Sequence, residues 1–500
     1  MTMRFVPLTQ IKNTCCCILL KLVIMLIQKG GNNMATTTKF VFGVVNSAYT
    51  KGAIGTCLSN GTQKTVALTK YAGSTNDFGG DPHVLALRAN LTVNGNTCNA
   101  ATIASNYTYQ TSYRGKAVYG IYDGINFGSP KEVAKSDNES SFSTTNIWNA
   151  TNPYSAVMGT DCFYINDFDM TSEDAGTNKI YQIKASDFTQ KLVYYTAPTV
   201  SGYTRCSCVA LNEYNGMLLA LFNYYNYSSG TFNYTNSKLV LLPKNESATS
   251  AVSAIATVNC ALNANTVTVS GTYVYVTSYG GKQVAGGNSA SKIQVFQISQ
   301  SGSTYSFTLK KTITPSNIPS GTNYGSTKGN FMGIEVVTGT DNKNYAVILV
   351  ARYNSSYSQY EYALFRFLES AIQTSGTPSH AGYKAVATVS PAGATWGFIK
   401  DRATGELFIV TGKGIGKVNA TTSSITVTDI TNASDYAISS SVTGFVLNTA
   451  TYNAHVAVSG IAESGEEKLS TTAVPAGTVQ TIIRPHLTRE EIEVLQESKS

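Results

Sequence analysis

Short runs of β-branched and aromatic residues recur along this chain, each followed by a Gly/Ser/Asn excursion and a second apolar run. The clearest copy spans Thr266 to Ser299 and reads TVTVSGTYVYVTSYGG, KQVAGGNSA, SKIQVFQIS. Runs of this length and composition predict strands, and the Gly- and Asn-rich breaks between them predict turns. Aligning the units on their most apolar strand gives anchors at Phe163 (FYI), Leu219 (LAL), Tyr273 (YVYV), Val347 (VILV) and Leu407 (LFIV). These anchors lie 56, 54, 74 and 60 residues apart. Each is followed by a return strand: KIYQI from Lys179, KLVLL from Lys238, KIQVFQI from Lys292, YALFRF from Tyr362 and IGKV from Ile415. Shorter strands precede several anchors, as in CVAL from Cys208 and GIEVV from Gly333.

Three or four strands at this spacing predict an all-β fold, a single β-propeller of about seven four-stranded blades. A parallel β-helix would repeat every ~20–30 residues, which the spacing disfavours. The long interval holds SGSTYSFTLKKTITPSNIPSGTNYGSTKG, read as a polar insertion. The units near Phe40–Val45 and Val84–Ile121 are the least regular. The segment SVTGFVLNTATYNAHVAVS (441–459) is short, and pairing it with the N-terminal TTTKFVFGVV closes the ring and removes an open strand edge. The expected domains are 1–33 leader, 34–460 propeller, and 461–500 linker with a short C-terminal helix. Thr488 and Glu491 form a capping box for that helix, and Ile492 and Leu495 share one of its faces.

The unit YVYVTSYGG…SKIQVFQI resembles bacterial β-propeller repeats of the YVTN and quinoprotein-like kind. The resemblance covers about 160–430 and implies the fold alone, since many activities sit on propellers. A quinoprotein would carry tryptophan docking motifs on most blades. Trp148 and Trp396 are the two tryptophans here, which argues against that cofactor.

Composition narrows the class of protein. The charged fraction is 13%, about half the ~25% typical of soluble domains. Uncharged polar residues and 31 Tyr fill the difference. Such surfaces suit extracellular or cell-surface proteins, and virion proteins. The net charge of +7 falls to +3 once Arg4, Lys12, Lys21 and Lys29 are set aside. No Lys/Arg cluster tracks a phosphate backbone, so nucleic acid is not an expected partner.

Residues 1–33 have two readings. CCCILLKLVIMLIQ (15–28) resembles a secretory h-region with cleavage near Ala35, although Lys21 interrupts it. It is too short for a stable membrane span. Alternatively, KGGNNM (29–34) can encode a purine-rich ribosome-binding sequence ahead of a start at Met34, which would shift the expectation to a cytoplasmic or virion protein. Without Cys15, Cys16 and Cys17, six cysteines remain: Cys57, Cys98, Cys162, Cys206, Cys208 and Cys260. They suit disulfides in an oxidising compartment or small buried thiols in a reducing one. Cys206 and Cys208 share one face of a strand.

Candidate chemistry is sparse. In DCFYINDFDMTSED (161–174), Asp167, Asp169 and Thr171 alternate as calcium ligands do. Ser172 stands where glycine is expected and no glutamate closes the loop, so a solvated acidic loop is the plainer reading. GKGIG (412–416) lacks a following helix and reads as a tight turn. His83, His380, His455 and His486 are scattered. Tyrosines gather in the excursions: Tyr224, Tyr225 and Tyr227, then Tyr279, then Tyr353 and Tyr357. Exposed tyrosines suit glycan or protein ligands, and tyrosine also simply favours strands. The reading is a non-catalytic extracellular or surface propeller that binds a glycan or protein ligand and needs no cofactor. The alternatives are a polysaccharide-acting enzyme and a structural component of a virion or surface layer.

Overall fold

The computed structural model describes the strands within 38–132, the segments 445–447 and 456–458, and residues 155–429. Excepted from the last range are 167–177, 185–189, 204, 229–230, 281–290, 319–329, 355–358, 375, 390–397, 401–404 and 412–413. Side chains are described within 155–429, apart from several strand-end and loop residues. The predicted leader, linker and C-terminal helix lie outside the described residues.

Seven antiparallel sheets follow one another along the chain. In blades two to seven each is a meander whose first strand in sequence is innermost. Blade two runs from His83–Val93 to Phe127–Glu132 and blade three from Ala156–Met158 to Gln190–Thr196. Blade four runs from Arg205–Tyr214 to Ala256–Cys260 and blade five from Ala264–Ser270 to Thr304–Ile313. Blade six runs from Asn330–Thr338 to His380–Val389 and blade seven from Phe398–Lys400 to Thr426–Asp429. The inner strands of successive blades touch in order around a ring. The fold is a seven-bladed β-propeller.

Blade one joins the chain ends. Thr38–Asn46, Gly52–Leu58 and Gln63–Ala67 supply three strands, and Phe445–Leu447 and Val456–Val458 both pair antiparallel with the first of them. The two late segments occupy successive stretches of one inner position, against Val44–Asn46 and Phe40–Phe42 respectively. Val456–Val458 touches the inner strands of blades two and seven. The expected ring closure is thus made by backbone hydrogen bonds.

The five anchors are the second strands of blades three to seven, and the returns are their third strands. One expectation needs correction. The polar insertion 301–329 contains the outer strand of blade five, Thr304–Ile313, whose exposure alternates along most of its length. Its low hydrophobicity reflects an outermost position, where one face meets blade four through Tyr305 and Phe307 and the other meets water.

The core lies in the seams between blades. Leu219, Leu221, Leu239 and Leu241 of blade four meet Val274, Val276 and Phe296 of blade five. Tyr275, Ile293 and Val295 of blade five meet Phe331, Ile348 and Phe365 of blade six. Burying each such side chain contributes about 1.5–3 kcal/mol. Both faces of the middle strands are covered, which explains their near-continuous apolar runs.

Antiparallel pairing fixes where the connections leave. The start of each inner strand, the end of the second, the start of the third and the end of the outer strand share one face of the ring. The strands that flank 68–82, 133–155, 314–329 and 430–444 end and begin on that face. The opposite face is made largely of tight turns, such as the two residues joining Tyr214 to Met217. There Asn215 and Gly216 both adopt positive φ, 45° and 73°, as a two-residue turn matched to strand twist requires.

Candidate functional site

The inner rim of the long-connection face repeats one irregularity. The inner strands of blades two, four, five and six each shift register near their start, between Val84 and Ala86, Cys208 and Ala210, Ala264 and Thr266, and Phe331 and Gly333. One residue per strand is left out of the ladder: Leu85, Val209, Asn265 and Met332. Bulges of this kind increase local twist and redirect side chains at the mouth of a ring.

Neutral polar side chains join adjacent blades just behind this rim. Asn166, 0% exposed, donates to the Cys208 carbonyl at 2.7 Å and accepts the Ser155 amide at 2.6 Å. Asn223 occupies the same place one blade on. It donates to the Ala264 carbonyl at 2.9 Å and accepts from the Ala264 amide at 3.1 Å and the Ser237 hydroxyl at 2.7 Å. At the next seam Ser291 accepts the Phe331 amide at 2.9 Å, and Asn330 accepts the Gly280 amide at 2.9 Å.

A second tier lies deeper along the axis. Ser155 Oγ accepts from the Leu211 amide at 3.1 Å, Asn212 donates to the Val267 carbonyl at 2.7 Å, and Thr268 donates to the Ile334 carbonyl at 2.8 Å. Asn212 and Thr268 stand at the same register position, and Glu335 occupies it in blade six. Glutamate brings no donor to blade seven there, and Lys400 of blade seven instead reaches back to the Val336 carbonyl. The sequence reading missed both tiers. Their signal was present: the anchors FYI and LALF each run straight into an asparagine.

Five of the six tyrosines singled out from the sequence, all but Tyr357, fall at or just past the ends of second strands, toward the long-connection face. Tyr224 and Tyr225 are 1% and 2% exposed. Tyr224 donates to the Pro198 carbonyl at 3.1 Å, and its ring lies 5.4 Å from Lys238 Nζ. Tyr225 shares a hydrogen bond with Ser207 at 3.0 Å. Both rings therefore serve the interior, because the strand Met217–Ser228 keeps its pairing partners almost to its end. Tyr279 is half-buried; its backbone N–H donates to the Asn263 carbonyl at 2.9 Å, and its ring packs against the blade six–seven core. Tyr353 lies in the strand Asn344–Asn354, and Tyr227 in Met217–Ser228, with side chains outside the described residues. Tyr357, Asp167, Asp169 and Thr171 lie outside the described residues altogether.

Among the described residues no group of three or more His, Cys, Asp or Glu side chains gathers in a metal-binding arrangement. Cys162, Cys206, Cys208 and Cys260 are free thiols. For these four the buried-thiol reading applies. Cys206 and Cys208 share one face, as expected, in the seam with blade three. Burial pushes Cys162 up to about 11 and Cys206 and Cys260 up to about 12. Such thiols are poor nucleophiles at neutral pH. Of the carboxylates on the described inner strands, Glu213 is 2.9 Å from Lys244 Nζ and Glu335 accepts the Thr268 hydroxyl at 3.4 Å. Among the described residues no helix is long and apolar enough to cross a membrane.

No protein-family model and no curated protein matches the chain. Solved structures do. A Bacteroides fragilis protein named as a 6-phosphogluconolactonase is 11% identical, covers 79% of this chain and 94% of its own, and has a TM-score of 0.46. A subtype N11 neuraminidase-like protein from a flat-faced bat isolate from Peru is 12% identical over 78% of this chain and 96% of its own, with a TM-score of 0.35. The α-L-arabinofuranosidase of Fusarium graminearum is 10% identical over 67% of this chain and 94% of its own, with a TM-score of 0.36. Likenesses this distant say nothing about activity, and the propeller assignment rests on the sheets and the ring of inner strands.

Proposed function

We propose that this chain is a non-catalytic extracellular or surface-displayed propeller that takes a glycan or protein ligand across its long-connection face. One observation carries the reading: repeated inner-strand bulges lie at the face where the longest connections leave and return, while several turns of the opposite face are tight. Loops clustered on a rigid scaffold are where binding residues concentrate. The uncharged polar composition agrees with a partner met outside the cell, and a start at Met34 would move the protein to the cytoplasm or a virion. Tyrosine contacts from Tyr227, Tyr279, Tyr353 and Tyr357 belong to the same proposal, which needs no cofactor; calcium at Asp167, Asp169 and Thr171 is its less favoured variant.

The polysaccharide-acting alternative needs two carboxylates converging at the channel mouth. Glu213, held by Lys244, is not free for that work. Purified full-length chain is tested on an oligosaccharide array and, in parallel, for release of reducing ends from the same sugars. Binding without turnover supports the reading. Turnover supports the enzyme; no binding on the array, no turnover and no captured surface protein together leave the structural component standing.

A further inference from the structure

At the long-connection end, three consecutive seams can be compared residue by residue. In the blade four–five seam the bulged residue is Val209, and Leu221 stands on the second strand opposite the next position. In the blade six–seven seam the same two places hold Met332 and Leu349. All four side chains are buried and apolar. In the blade five–six seam the two places hold Asn265, 1% exposed, and Thr277, 0% exposed. Thr266 joins them where blades four and six have Ala210 and Gly333. Thr277 donates to Asn265 Oδ1 at 2.5 Å and shares a hydrogen bond with Thr266 at 2.5 Å. The Asn265 Nδ2 group is buried and has no partner.

An orphaned buried donor is costly, and the two neighbouring seams show that this position packs well without one. The surrounding polar groups are satisfied internally, so the unmet demand is that of the Asn265 Nδ2 group, which can donate to one acceptor or two. At the cluster the backbone amides of Gly280, Phe331 and Lys292 donate to Asn330 Oδ1, Ser291 Oγ and Ser278 Oγ. None uses an ionic side chain. We infer that the rim of the blade five–six seam is the polar subsite of the ligand-binding face, where Asn265 Nδ2 donates to one oxygen of a neutral polyhydroxylated ligand. The inference rests on the glycan branch of the proposed function and names its chemical class. Because the nitrogen lies below the surface, it meets a single projecting oxygen and not the body of a sugar ring.

The test copies the neighbouring seam. Wild type, the double variant Asn265→Val/Thr277→Leu and the near-isosteric Asn265→Asp are compared on an array of neutral arabinan, xylan, mannan and β-glucan oligosaccharides, with titration calorimetry on those that bind. Wild type binds at least one neutral oligosaccharide, and both variants bind it at least tenfold more weakly. The double variant keeps its circular dichroism, and its Tm is unchanged or raised by about 1–3 °C. Wild-type binding with both variants within twofold overturns the inference and leaves the binding reading intact; the orphan is then merely structural. Wild type ignoring every neutral oligosaccharide overturns the inference together with the glycan reading.

Discussion

Blades are stitched to one another by neutral amides and hydroxyls on the long-connection face, and by carboxylates and cations on the short-turn face. On the first, Asn166 and Asn223 each bond the backbone of the next inner strand. On the second, Glu246, in a turn of blade four, accepts three successive amides of blade three, Thr160, Asp161 and Cys162, at 2.9, 2.6 and 3.1 Å. Gly159 beside it has no room for a side chain, since a Cβ would stand 2.4 Å from Glu246 Oε1 and 2.6 Å from the Cys162 carbonyl. Lys244–Glu213 and the stack of Arg366 on Tyr345 lie on the same side. Ionic groups thus join blades where the turns are short, whereas the seam latches of the other face are neutral, although strands begin there with Lys179, Arg205 and Lys292.

The comparison makes the asparagine latches the larger single contributors, because they are fully buried. Asn223→Ala strands the Ala264 amide and carbonyl and the Ser237 hydroxyl together. A loss of about 3 kcal/mol follows, little changed by salt, and denaturant unfolding measures it. A loss below about 1 kcal/mol would mean that water replaces the amide and that the seam is looser than drawn.

Glu246→Ala comes next. Three charge-assisted hydrogen bonds disappear, but the site is partly exposed, so the cost after screening is about 2 kcal/mol. Unlike the asparagine effect, this one shrinks as ionic strength rises from 0.05 to about 1 M. Equal salt dependence for the two variants breaks the distinction between the faces.

Alkaline titration gives a third, smaller handle. Cys162 is raised from its ordinary 9.0 to about 11, chiefly by burial, with Lys191 lowering it and Glu246 raising it. Cys206 and Cys260 are raised to about 12 by burial. The folded state holds these protons more tightly than the unfolded one. Their contribution is therefore complete below pH 9 and is lost as pH climbs through 11 to 12. Unfolding free energy measured from pH 8 to 11 falls across that window. In Glu246→Ala the Cys162 thiol is alkylated faster relative to Cys206, and an unchanged ratio argues that Glu246 does not act on it.

The sequence made the ring legible because the second and third strands of blades three to seven are buried on both faces. Anchors such as LALF and VILV announce themselves for that reason. The outer strand of blade five was read as an insertion because edge position removes half its apolar demand, and Lys310–Lys311 disguise it further. The candidate site was less legible. Tyr224 and Tyr225 drew notice as loop aromatics, yet strand pairing continues past them and turns both inward. Asn166, Asn223 and Asn265 passed unnoticed, since an asparagine after an apolar run reads as a turn residue. Only cross-blade register distinguishes a satisfied latch from the unsatisfied Asn265.

The smallest predicted effect tests whether the short-turn charges work by contact or by mere proximity. The Arg366 guanidinium, 4% exposed, lies 3.2 Å from the Tyr345 ring centroid and donates to the Thr421 carbonyl at 3.2 Å. The Tyr345 hydroxyl donates to Asp341 Oδ2 at 2.7 Å. That hydrogen bond is the chief reason the Asp341 carboxyl is held below its ordinary 3.8. Tyr345→Phe keeps the ring beneath the guanidinium and removes only the hydroxyl. Tm at pH 7 drops by less than about 2 °C. The sign with pH follows from the depressed carboxyl: its contribution is present above 3.8 and vanishes as pH falls through the folded value. Wild type and Tyr345→Phe should therefore differ at pH 6 and converge as pH falls below the folded value. A difference that persists undiminished in acid would mean that the ring, and not the carboxylate contact, was disturbed. The charged face would then owe its cohesion to packing, as the neutral face does.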